Sequence, residues 1–272
     1  MLNTMRSIRS LWLLLLGLLA WQGCEAQEAA RTLYVVEQED IDPALNSQYE
    51  QGVQLAIAAM QKANLGSDMS WGATQYQSSY FYVFQVGSLA ELDLNSRQAR
   101  ARSAQLATAM DEATFAQFAT LTTPAIRGNH LSVMEPVPEF SYAPADTVVE
   151  NPQFNHVVTL RVQAARAEQF EQATAEILAA IRKSDYPIGF NAYRTVIGDG
   201  RVFFDRGRTY YFIAPFDTRS QFYEEHPFNE ALAEAVGAER AAQLLGDQLN
   251  SLLSMETHDY RRRPDMGFQA TK

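Results

Sequence analysis

Four histidines, two runs of strand aromatics and a few arginines are the residues of this chain whose types could do chemistry. The histidines are His130, His156, His226 and His258. None stands in a metal-ligand spacing such as two histidines four apart around a glutamate, and no cysteine assists them. Glu224-Glu225-His226-Pro227 sets carboxylates beside a histidine, a pairing that could serve acid–base catalysis. The same residues read as a helix entry, with Pro227 in the first turn and the acids at the positive end of the dipole, and that reading is preferred. Trp71, Tyr76, Tyr80, Phe81, Tyr82 and Phe84, then Tyr193, Tyr210, Tyr211 and Phe212, make the strands dense in aromatics. Alternation turns half of them into core. The rest could use hydroxyls and an indole N–H to orient a flat organic ligand. The candidate ligand-binding residues are therefore Trp71, Tyr82, His130, Arg161, Tyr193, Arg194, Tyr211 and His258. No catalytic residue is assigned. No serine lies in a Gly-x-Ser-x-Gly elbow, and Gly198-Asp199-Gly200 precedes a strand, so it reads as a turn rather than a phosphate loop.

The elements that must position these residues occur twice. Tyr49-Glu50-Gln51, Ala58-Ala59 and Lys62 reappear 121 residues on as Phe170-Glu171-Gln172, Ala179-Ala180 and Lys183. Pro138-Glu139-Phe140-Ser141-Tyr142 is echoed at an offset of 126 by Pro264-Asp265-Met266-Gly267-Phe268. Each copy reads strand, helix, strand, strand, helix, strand. The first runs through a strand from Thr32, a helix over 45–63, strands over 69–77 and 80–86, a helical region opened by a Ser88/Glu91 capping box, and a strand over 130–135. The second runs through a strand over 156–162, a helix over 167–183, strands over 190–197 and 209–216, a helical region over 228–253 with breaks at Gly237 and Gly246, and a strand over 255–261. If Val158, Leu160 and Val162 face the helices, Val157, Thr159 and Arg161 point the other way. The expected fold is α+β: two tandem ferredoxin-like (βαββαβ) repeats, at 32–142 and 155–268 with a linker at 143–154, closing as an intramolecular pseudo-dimeric α/β barrel.

Composition bounds the compartment and the partners. Arg6 and Arg9 followed by the apolar run from Leu11 to Trp21 read as an export signal covering residues 1–26. A cut after Ala26 predicts a periplasmic protein. The alternative is a lipoprotein anchored through Cys24, the one cysteine of the chain. Removing the leader moves the net charge from −10 to −11, and so acidic a surface argues against nucleic acid as a partner. No later segment is an apolar run of membrane length, so no membrane span is expected in the mature chain.

The duplicated unit resembles the dimeric α+β-barrel superfamily in a fused, tandem form, over about Thr32 to Phe268. Branches of that superfamily include antibiotic-biosynthesis monooxygenases, haem-handling chlorite dismutases and dye-decolourising peroxidases. The resemblance rests on element order and repeat logic, without a branch-specific motif. It implies that haem is one cofactor to consider, with His156 and His258 as ligands and Arg161 or Arg194 as donors. No Cys-x-x-Cys-His attachment motif is present, and no cofactor is identified from the residues themselves. The expected function is binding of a small aromatic or apolar ligand between the repeats, leaning away from catalysis. The alternatives are an oxidoreductase, cofactor-free or haem-dependent, and a structural or interaction protein with a filled interior.

Overall fold

The structure is a computed structural model that describes residues 32–66, 69–92, 104–105, 108–144, 152–184, 186–198, 208–219 and 228–269. The leader with Cys24, the Glu224 to Pro227 segment with His226, and the turn at Asp199-Gly200 lie outside the described residues. In chain order the regular elements are β1 (Leu33–Ile41), α1 (Asn46–Lys62), β2 (Gly72–Tyr76), β3 (Ser79–Val86), α2 (Glu112–Thr122) and β4 (Ile126–Pro136), then β5 (Phe154–Val162), α3 (Ala167–Ile181), β6 (Asn191–Ile197), β7 (Arg208–Phe216), α4 (Phe228–Val236), α5 (Ala238–Asn250) and β8 (Leu252–Arg262). The fold is α+β with antiparallel sheets, in which β3 lies between β1 and β2, β5 between β7 and β8, and β7 between β5 and β6. The chain forms two compact units. Unit 1 holds the residues up to Val133 together with Arg263 onward, and unit 2 holds Met134 to Arg262.

In unit 1, β1 alternates. Leu33, Val35, Glu39 and Ile41 are buried, while the residues between them are half-exposed. The buried side faces α1, which contributes Tyr49, Ile57 and Met60. Gly52 lets α2 approach α1, since a Cβ there would fall 2.6 Å from the Thr122 methyl. Asp111 caps α2 by accepting the Thr114 amide at 2.7 Å. The Ser88/Glu91 signature precedes a 3₁₀ turn at Leu89–Leu92, and its Glu91 accepts the Gly87 amide; the residues that follow, 93–103, lie outside the described ones. β4 starts at Ile126, ahead of the strand expected over 130–135, and takes in Gly128.

Unit 2 repeats this register. β5 pairs β7 antiparallel with Leu160 opposite Tyr210, as β1 pairs β3 with Glu39 opposite Tyr80. Val158, Leu160 and Val162 do face the helix side, among Phe170, Leu178, Ala192 and Tyr210. Of the two glycines expected to break the second helical region, only Gly237 does so. It sits at φ +87° between α4 and α5, a conformation that costs a side chain dearly. Gly246 lies within α5, where its neighbours keep a helical stripe intact. The proline-led segments after β4 and β8 dock in matching ways. Val137 donates its amide to Ala192 in unit 2, and Arg263 donates its amide to Ala73 in unit 1.

Candidate functional site

The helix side of unit 1 carries a group of polar side chains where a core would be expected. Strand alternation places Glu37 and Glu39 on the same face as Val35 and Ile41. The β1–β3 register sets Tyr82 beside Glu37 and Tyr80 beside Glu39. α1 then lays Tyr49 over them. The Tyr49 hydroxyl donates to Glu39 Oε2 in a short contact and stands 2.6 Å from the Tyr82 hydroxyl. From β4, Asn129 Nδ2 donates to Glu37 Oε1 at 3.0 Å. Glu39 is 7% exposed and Tyr49 1%. Among the described residues no lysine, arginine or histidine meets either carboxylate.

Two acids set together without a cation, Glu39 buried and Glu37 half-buried, keep their protons to a higher pH than ordinary carboxyls. Burial pushes the Glu39 carboxyl up to about 7, against the pull of the Tyr49 hydrogen bond. Burial, with the neighbouring Glu39 charge adding, pushes Glu37 up to about 8, while Asn129 lowers it. Burial and then the Glu39 charge hold both Tyr49 and Tyr82 well above the ordinary phenol. A pair of carboxyls that exchange protons near neutral pH, joined to two phenols, can hold, give or take a proton and can hydrogen-bond a polar ligand.

Unit 2 shows what the scaffold itself requires. The positions matching Glu37, Glu39, Tyr49 and Tyr82 are Val158, Leu160, Phe170 and Phe212, which build its apolar core. By contrast, both units keep a tyrosine–glutamate–arginine group under the first helix. In unit 1 Glu50 accepts from Tyr80 at 2.5 Å and from Arg263 at 2.6 Å, and Arg263 also reaches Gln75 and Asp265. In unit 2 Glu171 accepts from Tyr210 and from Arg208, each at 2.5 Å, with Arg194 at 3.6 Å. A group present in both copies serves the fold; the carboxyl–phenol cluster is present in one.

Unit 2 has its own unmatched pair. His156 Nδ1 lies 2.7 Å from Asp259 Oδ1, with Arg219 3.9 Å from that carboxylate and stacked on Phe154. The corresponding residues of unit 1, Val35 and Val133, are fully buried valines.

The residues singled out from the sequence fall in several places. Tyr82 belongs to the carboxyl–phenol cluster. Trp71 donates its Nε1 to the Met266 carbonyl, stacks against Phe268 with centroids 5.3 Å apart, and borders a cavity of about 430 Å³. His130 faces away from the cluster, 3.4 Å from Asp40, which also accepts from Gln38 and Ser79. Arg161, Tyr193, Tyr211 and His258 share the sheet side turned away from α3, with Tyr193 directly opposite Tyr211. His258 lies 3.9 Å from Glu256. Arg194 stands on the other side, bound to Glu135. Glu37, Glu39 and Tyr49 were missed by sequence reasoning. The signal that could have found them is a pair of glutamates at positions which the second copy fills with Val158 and Leu160.

Neither a protein-family model nor a curated protein sequence matches the chain. Solved structures do resemble it. One is an anthrone oxidase-like protein, at 10% identity and TM-score 0.50 over 90% of this chain and 95% of that one. The others include a candidate monooxygenase from Fusobacterium nucleatum, at 9% identity and TM-score 0.49 over 86% and 93%. A chlorite dismutase from Candidatus Nitrospira defluvii aligns at 10% identity and TM-score 0.46, over 86% and 92%. These are proteins of the dimeric α+β-barrel type. At such identities the likeness is one of fold.

That fold type makes haem worth testing against the residues present. A second cavity of about 400 Å³, in unit 2, lies among Lys183, Tyr186, Glu230 and Glu234. Neither described cavity is lined by a histidine, cysteine or methionine, and His156 and His258 stand outside both. Of the usual axial ligands these two cavities offer only a tyrosine each, Tyr34 in the first and Tyr186 in the second.

Proposed function

We propose that this is an exported small-molecule-binding protein, with tandem ferredoxin-like repeats, whose site is the carboxyl–phenol cluster of unit 1. The ligand is a flat, hydroxylated organic molecule held by hydrogen bonds to Glu37 and the phenols, with its rings against the surrounding apolar side chains. One observation carries this reading. The same scaffold builds the matching positions of unit 2 from Val158, Leu160, Phe170 and Phe212, so folding alone does not call for acids there. Setting two carboxyls together without a cation opposes folding, which supports a use for them beyond the fold. Because the pair gains and loses protons near neutral pH, the site can also act as acid or base toward a bound hydroxyl. That supports oxidoreductase chemistry of the cofactor-free kind as the second reading. The fold shared with an anthrone oxidase-like protein sets the ligand class to try first.

The test is calorimetric titration of the mature protein with polyhydroxylated aromatics, together with oxygen uptake. Wild type binds, and the pair Glu39→Leu with Tyr49→Phe, which installs the unit 2 residues, weakens binding at least ten-fold. Equal affinity in both proteins overturns the site. Binding without oxygen uptake removes the oxidoreductase reading and leaves the binding one.

A further inference from the structure

The carboxyl–phenol cluster joins three elements of unit 1, beside the β1–β3 ladder and the Tyr80–Glu50 bond that also tie them together. Glu37 and Glu39 come from β1, Tyr82 from β3 and Tyr49 from α1, and the Tyr49 hydroxyl touches both strands' groups. We propose that this cluster is a proton-operated latch, closed while the Glu37–Glu39 pair keeps its protons and loosened at α1 when they leave.

The surroundings leave the pair alone with its charge. α1 presents Tyr49 and, one residue on, Glu50, whose charge is met by Arg263. β3 presents Tyr80 and Tyr82, and β2 presents only the uncharged Ala73 and Gln75. β4 presents Asn129 to Glu37, while its His130 sits with Asp40 on the other side of the sheet. No described cation faces the carboxylates, so two negative charges on adjacent same-side positions of one strand repel each other in a poorly solvated place. Relief comes from letting water in, and the group that excludes water is the fully buried Tyr49 on α1. The titration behaviour agrees in direction, since burial raises both carboxyls. Each folded-state value lies above its ordinary one. The stabilisation is therefore complete in acid and is lost as pH rises through about 7 and about 8. The latch does not rest on the ligand site proposed above.

The molecule carries its own control, because α3 of unit 2 packs Phe170 over Val158 and Leu160 with nothing to titrate. Amide hydrogen exchange of the ligand-free protein, read as the ratio of protection in α1 to protection in α3 at each pH, cancels the intrinsic pH dependence of exchange. The ratio falls at least ten-fold between pH 6 and pH 9 in wild type. In Glu37→Gln with Glu39→Gln it stays flat. A flat ratio in wild type, or the wild-type fall persisting in the double variant, overturns the latch. The wild-type measurement decides even if the variant does not fold, and because no ligand is present it is separate from the binding test.

Discussion

Glu39 is the residue on which the two halves of this protein differ most in consequence. Its counterpart Leu160 needs nothing from its neighbours, whereas Glu39 depends on the hydroxyl of Tyr49. Tyr49→Phe alone leaves that carboxyl without its donor and is expected to cost about 1–3 kcal/mol in denaturant unfolding. Adding Glu39→Leu recovers the loss and is neutral or stabilising by about 1–4 kcal/mol, because an apolar pair of similar volume replaces a buried acid. A double-mutant cycle at pH 7 checks both. The pH profile has a fixed sign. Between the unfolded carboxyl value of 4.5 and the folded values, the native state binds more protons than the unfolded one. Stability therefore falls as pH rises, by at most about 1.4 kcal/mol per pH unit for each proton held. A profile that instead rises steadily from pH 5 to 8 contradicts the buried pair.

At the scale of elements, unit 1 depends on α1 sitting close to both α2 and the segment that follows β8. Gly52→Ala pushes a methyl to within 2.6 Å of Thr122 and is expected to destabilise by about 1–3 kcal/mol. Arg263 pins the last segment through Glu50, Gln75 and Asp265, with its side chain 9% exposed. Arg263→Ala strands Glu50 and is expected to cost about 3–5 kcal/mol. It should also change the Trp71 fluorescence, because Trp71 packs on Phe268 five residues further along. Unit 2 obtains the same support from Arg194 and Arg208 on β6 and β7. The two units therefore share the glutamate and tyrosine but draw their arginines from different places, the segment after β8 in unit 1 and β6 and β7 in unit 2.

For the whole molecule, the proposed export predicts a mature protein that begins at Gln27, and intact mass after periplasmic purification checks it. A lipid-modified Cys24 would appear as a larger mass in the membrane fraction. An absorbance scan with added haem is expected to leave the broad Soret band of free haem unshifted, in keeping with two described cavities that offer no histidine, cysteine or methionine. The order of strands and helices was legible in the chain. So was the side of β5 that turns to the helices, since period-two alternation and matched offsets are local facts. Burial of particular polar groups was not legible. Glu39 looks like any strand-edge acid until α1 brings Tyr49 and β3 brings Tyr82, 43 residues away, to exclude water from it. His156 likewise meets Asp259 only across 103 residues of chain. Sequence determined which side chains share a face. Tertiary structure decided which of those faces lost their water, and desolvation is what turns an ordinary glutamate into a proton-holding group.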